Sequence, residues 1–453
     1  MREKMSHNFT SGKILLPLIR FSGPLLLALF LQTMYGAVDM MVVGQFATAA
    51  DVSAVSTGSW VVQIITSFVV GISMGTTILL GRRIGEGRQK ESGAIIGASV
   101  VLFLILAVVI TALTELFTGQ ILGVLQTPAE AFAPATAYLR ICAGGTVFII
   151  AYNVLGSIFR GIGNSTVPLL TVAIACVLNI AGDLTLCGVF RMGAAGAAIA
   201  TVFAQACSVL LSLLLIRGRK FDFTFSPRSD IRWDTKNMGL VFKLGLPIAF
   251  QDLLVGISFL AITAIVNSLG VISSAGVGVA EKLCGFIMLV PSAFGQAMSA
   301  FVAQNMGAGQ PKRARRALLC GVAASFTVGV VMAVLSFFCG TQMSSIFSND
   351  PAVVAASAEY LKAYAIDCLL VAFLFCMTGY FNGCGKTTFV MVQGIVGAFG
   401  VRIPVSFLMS RITPVSLFRV GLATPSSSFV QITLCFLYFF VLLRREKRET
   451  TKV

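Results

Sequence analysis

Residues 24–45 read PLLLALFLQTMYGAVDMMVVGQ: a proline at the head, and one acid, Asp39, in an otherwise uncharged apolar run. A bilayer core of about 30 Å is crossed by ~20 such residues in helical form, so the stretch predicts a membrane-spanning helix. A carboxylate at hydrocarbon depth costs at least about 2.5–3.5 kcal/mol on insertion scales, so its presence points to a proton site, an ion site or a counter-charge for a cation. Pro24 removes a backbone donor and loosens the ladder beside it, which predicts a helix able to bend there. The expectation is a bendable helix carrying a titratable switch.

The rest of the chain fits that environment. Of its 453 residues, 57% are hydrophobic and 11% charged, and mean hydropathy is +0.92, which excludes an ordinary soluble domain. At ~20 apolar residues per crossing, about twelve spans are expected. They fall near 17–43, 53–80, 92–116, 136–160, 167–188, 194–216, 242–268, 276–303, 316–339, 357–381, 388–410 and 418–443. Forty-four glycines suit helices that pack closely and move against one another. The first apolar run is long and has no small-residue cleavage site, so it reads as a span and not as a signal peptide.

A net charge of +15 raises the question of nucleic acid, and its distribution answers it. Lys and Arg gather in alternate loops: Arg82, Arg83, Arg88 and Lys90; Arg217, Arg219, Lys220, Arg228, Arg232 and Lys236; Lys312, Arg313, Arg315 and Arg316; then the tail with Arg444, Arg445, Lys447, Arg448 and Lys452. The opposite loops, such as Gly44–Asp51 and Asn267–Gly276, are nearly free of them. The positive-inside rule then places both termini in the cytoplasm. No nucleic-acid partner is expected.

The chain repeats itself. An offset of about 222 residues sets Pro24 against Pro247 after a one-residue slip, Gly85 and Gly87 against Gly307 and Gly309, Tyr138 against Tyr360, Arg140 against Lys362, and Gly161 and Gly163 against Gly383 and Gly385. The predicted fold is therefore an all-α integral membrane protein. Its twelve helices form two six-helix bundles, and the even number per half gives a pseudo-two-fold axis along the membrane normal. The expected divisions are an N-terminal lobe over 1–216, a cytoplasmic linker over 217–243, and a C-terminal lobe with a basic tail over 244–453. A substrate cavity is expected between the halves. Residues 118–135 read as an outer interfacial segment, with Thr341–Pro351 as its partner in the second half.

Several enzyme readings fail on the residues. GCGKTT at Gly383–Thr388 lacks the glycine that a phosphate-binding loop needs five residues before its Gly-Lys pair, since Tyr380 stands there. A tight turn between spans accounts for those glycines, as for GEG at Gly85–Gly87 and GAG at Gly307–Gly309. The single histidine, His7, precedes the first span, so neither a histidine zinc site nor a histidine relay is available within the membrane. The eleven cysteines are scattered in apolar segments without a CxxC pair and read as small buried residues. No serine or zinc hydrolase pattern occurs, so no enzyme and no bound cofactor are expected.

Further polar residues lie within the spans. Asn179 and Asp183, at i and i+4 in VLNIAGD, share one helical face and add a second intramembrane acid. Gln32, Asp252, Asp367 and Glu281 are candidates to line the cavity and attract a cation. Glu281 either pairs with Lys282 or sits at the outer water boundary. Arg402, in VRIPV, reads as lying near a helix end or paired with an acid.

The ordered set P…QTMYGAVDMMVVGQ, GRRIGEGR after the second span, its echo QNMGAG after the eighth, AYLR and FRGIGNST resembles the multidrug and toxic compound extrusion (MATE) family over essentially the whole chain. Within it the sequence looks most like the DinF-type and MepA-like branches. The resemblance implies a cytoplasmic-membrane antiporter that exports organic cations or amphiphilic drugs against inflow of H⁺ or Na⁺ by alternating access. It implies an ion-coupling cluster of Asp39, Asp183, Asn179, Thr201 and Tyr138, with Asn153 beside the cavity. Na⁺, if it is the ion, would sit on Asp39, Asp183, Asn179 and Thr201. The second-half ion site described for another branch has no ionisable match near Val255 or Gly256. A lipid or lipid-linked oligosaccharide flippase of the same superfamily is the alternative. No obligate protein partner is implied.

Overall fold

The computed structural model describes residues 9–218, 225 and 227–450. His7, Arg219, Lys220 and Lys452 lie outside the described residues. Every regular element among the described residues is helical. In chain order these are α1 (Leu15–Phe46), α2 (Ala49–Gly85), α3 (Ser92–Val124), α4 (Ala129–Gly144), α5 (Thr146–Ile162), α6 (Thr166–Asp183) and α7 (Gly193–Gly218). The short α8 (Pro227–Asp230) leads to α9 (Thr235–Asn267), α10 (Val271–Ile287), α11 (Leu289–Gly307), α12 (Pro311–Phe338), α13 (Gly340–Ser345) and α14 (Pro351–Gly383). The chain ends with α15 (Thr387–Ile395), α16 (Ile403–Ser410), α17 (Leu417–Gly421) and α18 (Ala423–Thr450). Wide π turns follow α6 at Leu184–Val189 and join α15 to α16 at Val396–Arg402. Eleven of the described segments are long and apolar enough to cross a membrane, and α4 with α5 makes a twelfth as a bent pair.

That bend corrects the expected single span at 136–160. α4 and α5 meet at 53° across Gly145. A Gly-Gly pair lowers the local resistance to bending, and the freed backbone is satisfied from both sides. Thr111 on α3 donates to the Ala143 carbonyl at 3.0 Å, and Thr146 donates back to Cys142 at 3.1 Å. At the matching place in the second half stand Ile366, Asp367 and Cys368, and α14 runs unbroken for 33 residues. The expected interfacial segment at 118–135 is also absorbed: α3 continues to Val124 and α4 starts at Ala129. Its partner does break away, as α13.

The chain divides into two compact units. The first holds Arg20–Ala249, Ala303–Gln310 and the described part of Met1–Gly12. In it α2 packs on α4 and α5, and α6 on α7. One apolar core joins α2, α3, α5 and α9 through Ile72, Leu80, Phe103, Ile158 and Val241. Another, with Val43, Val55, Leu122, Leu139 and Ala197, surrounds Tyr138 and Cys142. The second unit holds Lys13–Ile19, Phe250–Val302 and Pro311–Val453, and is built around α14, which packs on α10, α12 and α18. Its core includes Ile262, Val277, Tyr360, Leu361 and Tyr364.

The repeat seen in the sequence has physical counterparts. A Cβ on Gly85 would stand 1.9 Å from the Gln304 carbonyl, and one on Gly307 would stand 2.1 Å from the Arg82 carbonyl. Each glycine thus lets one backbone approach the other in a mutual contact within the first unit. Gly87 and Gly309 both close their turns with positive φ, at 72° and 66°.

Candidate functional site

Asp39 lies two turns before the end of α1, with 6% of its surface exposed, and Asp183 ends α6 with none exposed. Asn179, one turn before Asp183, is buried on the same face, as its i, i+4 spacing requires. Thr201 comes from α7, which packs along α6, and its hydroxyl accepts from the Asn179 amide at 3.3 Å. Tyr138 on α4 is buried within the electrostatic reach of Asp39. Asp183 also feels the Asp39 charge. The five residues expected from sequence as an ion cluster therefore come together in the first unit, from α1, α4, α6 and α7.

What the cluster lacks defines its chemistry. Among the described residues, Asp39 Oδ1, Asn179 Oδ1 and both carboxylate oxygens of Asp183 are buried with no hydrogen-bond partner. A buried acceptor left unmade costs about 1–3 kcal/mol, more when charged. Four such oxygens in one place are a strong demand for something that donates or carries positive charge. A proton on either acid would meet part of it, and a hard cation held by carboxylate, amide and hydroxyl oxygens would meet it too. Among the described residues no group of three or more His, Cys, Asp or Glu side chains is placed to hold a metal ion, so this oxygen set is unlike a structural metal centre. The π turn after Asp183 shifts the hydrogen-bond ladder by one residue at that point, a local irregularity typical of functional sites.

Two neighbours escaped the sequence reading. Tyr35 stands beside Gln205 and within reach of the Asp39 charge. Tyr35 precedes Asp39 by four residues and Gln205 follows Thr201 by four, the same helical spacing as Asn179 and Asp183, but neither residue type stands out in an apolar run as an acid does. Cys142, one turn after Tyr138, feels Asp39 as well.

The remaining candidates disperse. Gln32 donates to the Tyr152 hydroxyl at 2.8 Å, in the first unit. Asn153 donates to the Ile149 carbonyl of its own helix at 2.8 Å. Asp252, Asp367 and Glu281 belong to the second unit. Asp252 is exposed on α9 and Asp367 is buried on α14. Glu281 is half-buried and accepts from Thr263 at 3.5 Å, while its neighbour Lys282 is exposed and forms no ion pair with it. Pro24 lies inside an unbroken α1.

Comparison with known proteins gives a consistent picture. A family model described as MatE matches residues 24–185 and again residues 247–408. The chain is 29% identical over 405 residues to the probable multidrug resistance protein YpnP of Bacillus subtilis, spanning 89% of this chain and 90% of that protein. It is 27% identical over 425 residues to the probable multidrug resistance protein YoeA of the same organism, spanning 92% of each. The crystal structure of MATE in complex with MaL6 superposes with a TM-score of 0.92 at 19% identity, covering 99% of this chain and 100% of that one.

Proposed function

Because the chain belongs to the MatE family, whose model matches both of its halves, we propose that it is a secondary exporter of organic cations and amphiphilic drugs. It is a multi-pass membrane protein whose relatives are named for multidrug resistance. In this reading it sits in the cytoplasmic membrane with both termini inside, performs transport and not chemistry, and needs no cofactor beyond a coupling ion. Residues 1–216 and 244–453 form its two lobes, joined by 217–243.

The observation that carries the reading is the pair of buried acids, Asp39 and Asp183, with unpartnered oxygens turned to one cluster. H⁺ or Na⁺ bound there removes the uncompensated charge. A cationic substrate drawn to the same acids is then in competition with the ion. A ligand shifts a conformational equilibrium only through its differential affinity for the two states, and exclusion at shared acids supplies that difference. Asn179 and Thr201 orient the cluster, Tyr138 seals it on the α4 side, and Pro24 is the point at which α1 yields.

The test is efflux of a fluorescent lipophilic cation from proteoliposomes, with a pH gradient and a Na⁺ gradient imposed separately. Wild type exports under one of them, and Asp39→Asn loses gradient-driven export while keeping its thermal stability. Full coupled export by Asp39→Asn would overturn the role of Asp39. No gradient-driven export of any of several cations by wild type would overturn the exporter reading in favour of a lipid flippase.

A further inference from the structure

Asp183 is followed at once by the corner that carries the chain from α6 into α7. The π turn Leu184–Val189 continues the helix, and two wide bonds close the corner: Phe190 N donates to the Thr185 carbonyl at 3.0 Å and Met192 N to the Leu186 carbonyl at 2.9 Å. Gly193 then opens α7 with a φ of 55°. The first N–H groups of a helix have no partner within it. One of them, the N–H of Ala194, is met by another element: it donates to Asp51 Oδ1, on α2, at 3.0 Å.

Asp51 is itself held in place. Thr48 closes a capping box with it: the N–H and the hydroxyl of Thr48 donate to Oδ2 at 3.2 and 2.7 Å, and Asp51 N donates back to the Thr48 hydroxyl at 3.2 Å. The corner is bare where it meets this carboxylate. A Cβ on Gly193 would stand 2.4 Å from Asp51 Oδ1, and the positive φ suits glycine as well.

From there the corner reaches the ion cluster by contact. Cys187, fully buried in the π turn, donates from Sγ to the Gly193 carbonyl at 3.3 Å. A Cβ on Gly196 would stand 3.1 Å from that sulfur, and one on Gly182 would stand 2.9 Å from Ala200 Cβ. So α7 lies closely against the π turn and α6, from the Asp51 contact to the turn that holds Thr201. Gly182 precedes Asp183 and Ala200 precedes Thr201, so the packing that seats the two helices also seats the two ligand-bearing residues. A slide of α7 along α6 would break the bond from Asn179 to Thr201. α2, which carries Asp51, packs in turn on α4, the helix of Tyr138.

We propose that Asp51 is a positioning residue for the ion cluster: its carboxylate straps the α6–α7 corner to α2, and so holds Asp183, Asn179 and Thr201 in the register that gathers them with Asp39 and Tyr138. Its own oxygens are taken by N–H and O–H donors, so it is not a ligand of the ion. This role rests on the reading of the cluster as the ion site.

The test titrates ions into purified full-length protein, protons with a pH indicator and Na⁺ with a radiolabel, and reads both the affinity and the number bound at saturation. Asp51→Ala is expected to bind the wild-type number with an affinity lower by about tenfold or more, as when a group that orients ligands is removed. Asp51→Asn keeps an oxygen for the Ala194 N–H and is expected to recover most of that loss. Gly193→Ala displaces the carboxylate from the other side; it is expected to weaken binding as Asp51→Ala does, and it decides the matter should Asp51→Ala fail to fold. An unchanged affinity in folded Asp51→Ala would overturn the proposal. So would one ion fewer at saturation, which makes Asp51 a ligand, or an Asp51→Asn as weak as Asp51→Ala, which makes its charge and not the strap the cause. Wild-type ion binding that survives Asp39→Asn unchanged would overturn the cluster itself and this role with it, so the two failures are read from different variants.

Discussion

The ring of Tyr138 lies against the bare backbone of Gly58, where a Cβ would fall 2.3 Å from its Cδ1. One missing methyl group on α2 therefore sets where an aromatic wall of the acid cluster stands. Gly58→Ala is expected to push that ring aside, at an overpacking cost of about 1–3 kcal/mol. A lower melting temperature together with weaker ion-dependent export checks it; unchanged values of both would mean that the ring is free to move without consequence. Residue identity was legible at Asp39, Asp183 and Asn179, because an acid or amide inside an apolar run stands out against its surroundings. Tyr35 and Gln205 were not, because tyrosine and glutamine are unremarkable near membrane boundaries. Only the approach of Tyr35 to Asp39 and to Gln205 gives them meaning.

At the scale of elements, composition predicted where helices cross but not where they break. The bend at Gly145, supported by Thr111 on the Ala143 carbonyl, and the two π turns are local backbone features that hydropathy does not register. α1 is the converse case, since Pro24 announces a weak point within a helix that is continuous from Leu15 to Phe46. Pro24→Ala restores the missing donor and stiffens it. Binding of the lipophilic cation is expected to stay within about twofold of wild type while export slows roughly tenfold, as when a conformational step limits turnover. Equal export rates in the two proteins would remove Pro24 from the mechanism.

For the whole molecule, the alternation of basic and charge-poor loops fixes an expected orientation. Green fluorescent protein, which matures only in the cytoplasm of bacteria, should fluoresce when fused after Val453. An alkaline phosphatase fusion in the loop near Gly270, which needs the opposite side, should be active. A dark first fusion with an active phosphatase after Val453 would invert the topology.

The sequence by itself determined the membrane class, the approximate spans, the duplication and the acids that stand within apolar runs. Each of these is a local or periodic property: apolar length, repeat spacing, or a charge out of place. Only the tertiary structure decided which side chains meet. It brought Asp39, Tyr138, Asn179, Asp183 and Thr201 from four helices into one cluster, and it set the Arg402 guanidinium over the Phe259 ring and against Ser258 in the other unit. Those meetings depend on helix rotation, on a bend and on single-residue shifts at π turns. These change which face a residue presents without changing how apolar its neighbourhood is.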